Sequence, residues 1–368
     1  MIYPESYEPL LRACQQMLTH RQVFAKPLLE NHVLEHVGVA NTNGELMGHI
    51  VADAIMRRLD RRLMDARNIY VEQFDIPQIE LFYKLGQAIP HLGLSHRLAN
   101  HNLVAAMDGL SEITILEIGI GKGVQMRELL REASAAHPSL RSARVIGLDP
   151  DPNNLRDAGA TIDVARHLCH FAIEYVPILG YVEKLDDAQW AHINELKGRH
   201  LVINSAFALH HTGHPLEDDS VRTDLLRRLA GLDPLLLTLV EPNADHDTED
   251  LARRIGQAWT HFGHVFELID HSNLAAEERF TIKEKFFGRE IRDIFGVSDL
   301  FRCERHELYE DWLLRLTRAG FEPAPFATFT HDLPAHSALD IADGIARLDF
   351  QGLTIISVFA YRPRRRLC

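Results

Sequence analysis

The chain has 368 residues, enough for one large or two ordinary domains with a sizeable buried core. Apolar residues make up 46% and charged residues 25%, and no run approaches the about 18 consecutive apolar residues that a membrane-spanning helix needs. The 39 basic and 52 acidic residues leave a formal net charge of −13, which opposes non-specific binding to nucleic acid or to an anionic membrane.

Cysteine and histidine usage adds two expectations. The four cysteines are too widely spaced for a C-x-x-C pair and too few for a disulfide scaffold. The N-terminus also has no basic region followed by an apolar one, so it predicts no secretory signal, and we expect a cytoplasmic protein. The 22 histidines raise metal binding, acid–base chemistry and pH sensing together.

The first 110 residues have helical patterns. Apolar positions recur at intervals of three and four from Glu45 to Ala66, which predicts an amphipathic helix that buries one stripe. Two more helical stretches follow, at about Pro77 to Ile89 and His96 to Met107. We therefore predict an N-terminal helical cap over residues 1–110.

The sequence pattern changes at Ser111, where short runs rich in aliphatic residues begin to alternate with helical patterns. A helix predicted from Val124 to Ala135 separates the first two runs, which gives the size of a βαβ unit. This alternation predicts a parallel sheet with helices on both faces. The predicted strands are Ile113 to Ile118, Arg144 to Leu148, Ile178 to Val182, His200 to Asn204 and Leu235 to Val240.

Beyond Val240 the alternation stops and charged helical segments follow. These are His246 to Ile269, Leu274 to Phe295 and Glu307 to Ala319. Strands return at Phe321 to Phe326 and Leu353 to Tyr361, with a helical stretch predicted near Ala338 to Ala346. Five early and two late strands predict an α/β fold, a seven-stranded class I methyltransferase-like Rossmann sheet with a helical cap. The core would comprise residues 111–245 and 301–368, and the insertion 246–300 would complete the cap.

A glycine loop directly follows the first predicted strand. Its sequence is Glu-Ile-Gly-Ile-Gly-Lys-Gly, with Glu117 ahead of Gly119, Gly121 and Gly123. Glycines let a ligand approach bare peptide N–H groups at a helix N-terminus. The G-x-G-x-x-G dinucleotide pattern fails because residue 124 is Val. The acidic residue suits a ligand with a cationic amino group, such as S-adenosylmethionine, although a tight structural turn would use the same glycines.

Polar residues also end the second and fourth predicted strands. Asp149 follows the second strand, where a carboxylate can accept both ribose hydroxyls of an adenosine. Asn204 ends the fourth strand, and His210 and His211 follow it closely. Because ligands of open α/β sheets bind outside the carboxyl ends of the strands, these residues would face one pocket. Either histidine could be a general base, or it could cap a helix or fill a polar gap in the core.

Histidine pairs also allow a metal interpretation. They are His210, His211 and His214, then His167 with His170, and His261 with His264. None carries H-E-x-x-H or a paired cysteine set, so we predict no metal site.

Several motifs in order resemble a known family. They are Val202 to His211 with its Asn-x-x-Phe-x-Leu-His-His, Leu237 to His246, Gly288 to Ile291, and Glu304 to Glu307 followed by Trp312 and Arg315. Over roughly residues 80–368 the chain resembles the GRAS family, which comprises plant transcriptional regulators of Scarecrow and DELLA type and their bacterial relatives. The resemblance implies a methyltransferase-like Rossmann core under a helical cap. The chain keeps the three glycines, Glu117 and Asp149, so it looks like a bacterial-type member, for which small-molecule methylation has been suggested.

These observations predict an S-adenosylmethionine-dependent methyltransferase of a small molecule, with S-adenosylhomocysteine as product. Glu117 would hold the amino group of the methionine moiety, the loop glycines would pass beneath it, and Asp149 would bind the ribose. Asn204 would lie near the transferring methyl group. The candidates for acceptor binding or proton removal are His210, His211, Glu241 and Asn243, and the cap residues Tyr83, His96 and Asn100 could contact the substrate.

Two other classes of function stay open. The same pocket could hold a small molecule in a non-catalytic sensor or interaction scaffold, or the chain could be a transcriptional regulator of plant type. The partner expected for the methyltransferase is a small-molecule substrate, without direct nucleic-acid or membrane binding. A homodimer is left open, and the sequence does not name the methyl acceptor.

Overall fold

The computed structural model describes residues 7–18, 22–30, 42–60, 69, 75–213, 220–329 and 332–364. The helices are α1 Tyr7–Leu18, α2 Gln22–Leu29, α3 Asn43–Leu59, α4 Gln78–Ala88, α5 Pro90–Ala105, α6 Val124–Ala136, α7 Pro152–Leu168, α8 Asp187–Leu196, α9 Ser220–Gly231, α10 Leu251–Asp270, α11 Ala276–Thr281, α12 Gly288–Gly296 and α13 Tyr309–Arg318. The strands are β1 Glu112–Ile118, β2 Ser142–Asp149, β3 Ala172–Leu179, β4 Leu201–Ala206, β5 Leu236–Pro242, β6 Phe321–Pro323, β7 Ser337–Ala342, β8 Ile345–Phe350 and β9 Leu353–Pro363. The predicted end of the third helix at Ala66 lies outside these residues.

One sheet contains all nine strands of the described residues. Its order is β3-β2-β1-β4-β5-β9-β8-β7, and the short β6 pairs with β9. The first five strands are parallel, as predicted, and β9 runs antiparallel to β5. The fold is therefore mixed α/β with a largely parallel central sheet, but the expected count of seven strands is wrong.

The extra strands form a hairpin where a helix was predicted. The stretch near Ala338 to Ala346 is not helical: it contains most of β7, the turn and the start of β8. The turn residues Asp343 and Gly344 have φ values of 49° and 77°, and two consecutive left-handed residues make the tight turn that matches the twist of a β-hairpin. Burial alternates along β7, so its apolar spacing has the period of a strand.

The third strand lies earlier in the chain than predicted. It spans Ala172–Leu179 instead of starting at Ile178. Because β3 is at the edge of the sheet, exposed side chains occur between its buried and half-buried ones, and it tolerates Pro177. A prediction based on uniformly apolar runs therefore missed the first six residues of β3.

Helices cover both faces of the parallel strands, as predicted. On one face, Leu103 of α5, Leu129 of α6 and Ile162 of α7 pack against β1 and β2. On the other face, Ile193, Leu226 and Trp312 bring α8, α9 and α13 onto the sheet. A third core joins α1, α3, α10 and α12 to residues of β5, β8 and β9, so the helices before β1 and those after β5 share one apolar interior. In the described part of the chain, no helix has the length and apolar character needed to cross a bilayer.

Candidate functional site

An open cleft lies at the carboxyl ends of β1 to β4. It encloses about 830 Å³, part of it open to solvent. Its walls include the glycine loop, the end of β2, the turn after β3 and the segment that follows β4, with Gly119, Gly121, Asp149, Gly180, Phe207 and His211 among the lining residues. This is where ligands of open α/β sheets bind, and we call it the strand-end cleft.

The loop after β1 requires glycine for two physical reasons. Gly119, Gly121 and Gly123 have φ values of 75°, 52° and 72°, a left-handed conformation that L side chains rarely adopt. A Cβ on Gly119 would lie 2.6 Å from the Cβ of Ala208, and one on Gly123 would lie 3.1 Å from the Cα of Ala158. The loop therefore passes close to the β4 segment and to α7, and it presents bare backbone to the cleft.

Asp149 holds the glycine loop to the end of β2. Its Oδ2 accepts a hydrogen bond from the Gly121 N–H over 3.0 Å, and its Oδ1 accepts from the N–H of Asp151 and from the side chain of Asn154. Burial raises the pKa of the carboxyl group, while these three donors act in the opposite direction. Asp149 is therefore both a lining residue of the cleft and the group that fixes the loop.

Three polar side chains cross the sheet beneath the cleft. Glu117, Asn204 and Thr238 occupy matching positions in β1, β4 and β5. Asn204 Nδ2 donates to Glu117 Oε1 over 2.8 Å, and Asn204 Oδ1 accepts from Thr238 Oγ1 over 2.6 Å. Burial raises the pKa of Glu117 to about 8, and its Oε2 is buried without a hydrogen-bond partner.

A second cavity lies between the sheet and helices α4, α5 and α10. It spans about 590 Å³, part of it open to solvent, its lining is almost entirely apolar, and we call it the apolar pocket. Phe82 of α4 and Phe207 line both this pocket and the strand-end cleft, and their ring centroids are 5.7 Å apart. These two rings therefore form the wall between the cavities.

The backbone at Phe207 is in an unusual conformation. Its φ is 55°, although it is not glycine, and its N–H donates to the carbonyl oxygen of Val240 over 2.8 Å. Left-handed conformations of bulky residues are costly and are concentrated at functional sites. The ring of His96 lies 5.7 Å from that of Phe207, and burial lowers the pKa of His96 to about 4, so this imidazole is neutral at pH 7.

Histidines and carboxylates meet beside this wall. His210 Nδ1 lies 2.6 Å from Glu241 Oε2, and His210 Nε2 lies 3.4 Å from Glu304 Oε2. All three side chains are buried. Burial alone would lower the pKa of His210, but the carboxylates of Glu241 and Glu304 raise it to about 10. Glu241 and Glu304 thus favour a positive charge at the position of His210.

His211 and His306 complete this group. His211 Nδ1 lies 3.5 Å from Glu304 Oε1, and His306 Nε2 lies 3.2 Å from Glu304 Oε2. Burial, followed by the neighbouring charge of His210, lowers the pKa of His211 to about 3. We call His210, His211, Glu304 and His306 the histidine cluster, and it lies between the strand-end cleft and the apolar pocket.

Arg222 of α9 supports the backbone of this cluster. Its guanidinium donates to the carbonyl oxygens of His210, Thr212 and Arg305 at 2.9 to 3.0 Å. It also forms an ion pair with Glu307 Oε1 at 2.9 Å. One buried cation therefore joins the segment after β4 to the segment before α13.

The four predicted substrate residues do not come together. His96 lies beside the aromatic wall, as described above. Tyr83 is half-buried with Arg127 and Glu128 as its charged neighbours, and Asn100 exchanges hydrogen bonds with Gln125 at the start of α6. Asn243 Oδ1 accepts from the N–H of Tyr309, the first residue of α13. Of the described residues that line the two cavities, none is Tyr83, His96, Asn100 or Asn243.

The structure adds residues to which the sequence assigned no role. Glu304 and His306 come from a loop almost a hundred positions after His210, and Phe82 and Phe207 form the aromatic wall. The run Glu304-Arg305-His306-Glu307 was a usable signal, because four consecutive ionisable residues are unusual in a segment that must be buried.

Comparisons with known proteins agree with the architecture. Residues 8–335 match the GRAS domain family. The chain is 26% identical over 339 residues to chitin-inducible gibberellin-responsive protein 2 of Oryza sativa subsp. japonica, covering 88% of this chain and 60% of that protein. It is 22% identical to Scarecrow-like transcription factor PAT1 of Arabidopsis thaliana over 86% of this chain and 66% of that protein.

The similarity to a solved structure extends over the whole fold. The crystal structure of SCL7 in Oryza sativa superposes with a TM-score of 0.80 at 22% identity, covering 98% of this chain and 100% of that chain. The present chain spans about three fifths of the length of the rice relative first named above. Because the family match covers most of the chain, this protein belongs to the GRAS domain family.

Proposed function

We propose that this protein is an S-adenosylmethionine-dependent methyltransferase that acts on a small, largely apolar molecule. The observation that carries the proposal is the strand-end cleft, which is lined by a bare glycine loop and the carboxylate of Asp149, with the buried carboxyl group of Glu117 next to it in β1. Such a protein would be of the bacterial, catalytic type within the family and would act in the cytoplasm without binding nucleic acid or membrane.

The residues present fit this cofactor. Glu117 Oε2 is a buried acidic oxygen without a hydrogen-bond partner, and the ammonium group of a methionine moiety would supply one. Asp149 lines the cleft at the end of β2, where a carboxylate can accept hydrogen bonds from ribose hydroxyls. Gly119 and Gly121 line the cleft, so a ligand there would meet backbone atoms without side chains.

When bound, the cofactor supplies a methyl group already activated by a sulfonium. The protein then has to align the acceptor, exclude water and take up the proton that the acceptor loses. Phe82 and Phe207 separate the two cavities and are placed to set the approach of an acceptor toward the cleft. His211 lines the cleft and is the candidate for contact with the acceptor's proton.

The apolar pocket defines the class of acceptor. Its walls are mainly aromatic and aliphatic, with His210, His261, His306 and Glu290 as the polar lining. An acceptor with an apolar body and one hydroxyl, amine or carboxyl group would place that group toward the histidines.

Titration calorimetry tests the proposal. The purified chain should bind S-adenosylmethionine and S-adenosylhomocysteine with a measurable heat, and Asp149→Ala should abolish or strongly weaken both. Asp163→Ala is the matched control, because the carboxylate of this exposed aspartate forms an ion pair with Arg166 on the same helix, α7. No heat with the unmodified chain, or equal heats in the Asp149→Ala variant, would contradict the assignment.

A regulatory role is the second candidate, since one relative is named a transcription factor. In that case the same cleft would hold a small molecule and the protein would not turn it over. Cofactor binding without methyl transfer to a broad panel of apolar hydroxyl, amine and carboxyl acceptors would favour this alternative.

A further inference from the structure

The histidine cluster has the composition of a transition-metal site. Two histidine nitrogens and a carboxylate, from His210, His211 and Glu304, lie within 4.8 Å of one another, and Glu304 also belongs to a second such group with His306 and Glu290. A two-histidine, one-carboxylate set is a recurrent way of binding a divalent first-row metal while leaving coordination positions open. Adjacent histidines are not a classical sequence motif, and Glu304 is distant in sequence, so the set forms only in the folded chain.

The distances match ligands that share one ion. His210 Nε2 lies 3.4 Å from Glu304 Oε2, and His211 Nδ1 lies 3.5 Å from Glu304 Oε1. Charge-assisted N–H···O bonds are shorter, at about 2.7–2.9 Å. Two ligand atoms that are each about 2.0–2.1 Å from a tetrahedral zinc ion are about 3.4 Å apart. Both separations are longer than such bonds and lie close to this ligand–ligand spacing, with His210 and His211 each facing a different oxygen of Glu304.

The outer contacts orient these side chains. His210 Nδ1 is held by Glu241 Oε2 at 2.6 Å, and Glu241 Oε1 accepts from the N–H of Leu209. A carboxylate on one ring nitrogen, with the other nitrogen turned toward the metal, is the usual support of a ligating histidine. His306 is likewise held by His246 at 2.8 Å, and the N–H of Glu304 donates to Asp293 Oδ2 at 2.7 Å.

The position of the cluster gives an ion access and open coordination positions. His211 lines the strand-end cleft, while His210 and His306 line the apolar pocket. An ion beside Glu304 would also compensate the charges of Glu304 and Glu241, which are both fully buried. A ligand in either cavity could then reach the ion.

The geometry points to a site for one divalent transition-metal ion such as Zn²⁺, bound by His210, His211 and Glu304 with His306 beside it and Glu241 as the outer support. This site goes beyond methyl transfer and does not depend on it. It departs from the prediction, made from sequence spacing, that the chain has no metal site.

Metal titration of the whole chain tests the site. After treatment with a chelator and dialysis, added Co²⁺ should produce visible d–d absorption that saturates at about one ion per chain, and Zn²⁺ should displace it. Glu304→Gln keeps the shape of the side chain and should weaken binding by on the order of 100-fold. Mg²⁺ should neither displace Co²⁺ nor raise the melting temperature, because imidazole ligands disfavour it.

Two further variants complete the test. His264→Gln is the control, because His264 lies on α10 outside the cluster and its Nδ1 contacts the carbonyl oxygen of Thr260. If Glu304→Gln does not fold, Glu241→Gln should weaken Co²⁺ binding by roughly 10–100-fold through loss of the outer support. A folded, unmodified chain without saturable Co²⁺ absorption would overturn the proposal, as would equal affinities in the folded Glu304 or Glu241 variant and the His264 control.

Discussion

Glu117 and Asn204 lie opposite each other in neighbouring parallel strands, and Asn204 Nδ2 donates to Glu117 Oε1 over 2.8 Å. The amide orientation is set by Thr238 Oγ1, which donates to Asn204 Oδ1. One carboxyl oxygen of Glu117 is thus satisfied while the other is buried without a partner. Because ionising such a group is costly, its charge depends on pH and on any cation that reaches it.

The first prediction concerns stability as a function of pH. Burial raises the pKa of Glu117 from 4.5 to about 8, so between these values the folded state holds a proton that the unfolded state releases. Stability must therefore fall as the pH rises through this window. Glu117→Gln removes this titration. In urea unfolding, the free energy of unfolding of the variant, relative to that of the unmodified protein, should therefore rise by roughly 1–4 kcal/mol from pH 5 to pH 8.

The comparison between two pH values isolates this effect. Glu117→Gln also changes the hydrogen bond to Asn204, but that change contributes about equally at both pH values. Unfolding free energies of the two proteins that run parallel between pH 5 and pH 8 would show that Glu117 titrates normally.

The second prediction links ligand binding to proton release. At pH 7 a carboxyl group with a pKa of about 8 is mostly protonated. Pairing with the ammonium group of S-adenosylmethionine would favour the ionised form, so binding should release close to one proton per ligand. Calorimetry at pH 7 in two buffers with different ionisation enthalpies measures this number.

The matched experiment uses the same variant. Glu117→Gln should bind S-adenosylmethionine with an affinity lower by on the order of 10–100-fold, and this binding should release no proton. Binding heats of the unmodified protein that do not depend on the buffer would exclude Glu117 as the ammonium partner.

Much of the sheet could be predicted because its signals are local. The parallel strands β1, β2, β4 and β5 are apolar runs bounded by turns, and the ends of β1 and β4 matched prediction closely. The β7–β8 hairpin was missed because its alternation is short and the Asp343-Gly344 turn lies inside a stretch with helical spacing. The edge strand β3 was displaced because half-exposed residues give no continuous apolar run.

The residues of the candidate site also fall into those that local sequence patterns predicted and those that they did not. Gly119, Gly121 and Asp149 were identifiable because they follow strands directly, and parallel strand ends meet at one edge. Glu304, His306 and Phe82 reach the site from distant segments through packing, which no local pattern encodes. Asn100 and Asn243 were predicted to contact the substrate, but their side chains bond to the starts of helices α6 and α13.

The third prediction separates backbone conformation from steric contact in the glycine loop. Gly119 and Gly109 have nearly the same φ, 75° and 71°, but a Cβ on Gly119 would lie 2.6 Å from Ala208 Cβ whereas one on Gly109 meets nothing within 4 Å. Gly109→Ala should cost about 1–2 kcal/mol from conformation alone. Gly119→Ala should lower the stability by about 1–3 kcal/mol more than Gly109→Ala does, because the loop must move away from the β4 segment.

Urea unfolding and cofactor titration together check this pair. Only Gly119→Ala should also weaken S-adenosylmethionine binding, since Gly119 lines the cleft after β1 whereas Gly109 precedes β1, at the opposite end of that strand. Equal losses of stability in the two variants would mean that the contact with Ala208 is relieved at no cost.

The last prediction concerns the support of the histidine cluster. Arg222 and Arg227 are both on α9, but the side chain of Arg222 is 4% exposed and that of Arg227 is 53% exposed. Arg222→Met removes the donors to the carbonyl oxygens of His210, Thr212 and Arg305 and leaves buried acceptors unsatisfied, so it should cost about 3–5 kcal/mol. Arg227→Met removes only a surface ion pair with Asp224 and should cost less than about 1 kcal/mol. Chemical unfolding of both variants measures the difference, and similar small losses would show that the segment after β4 keeps its position without Arg222.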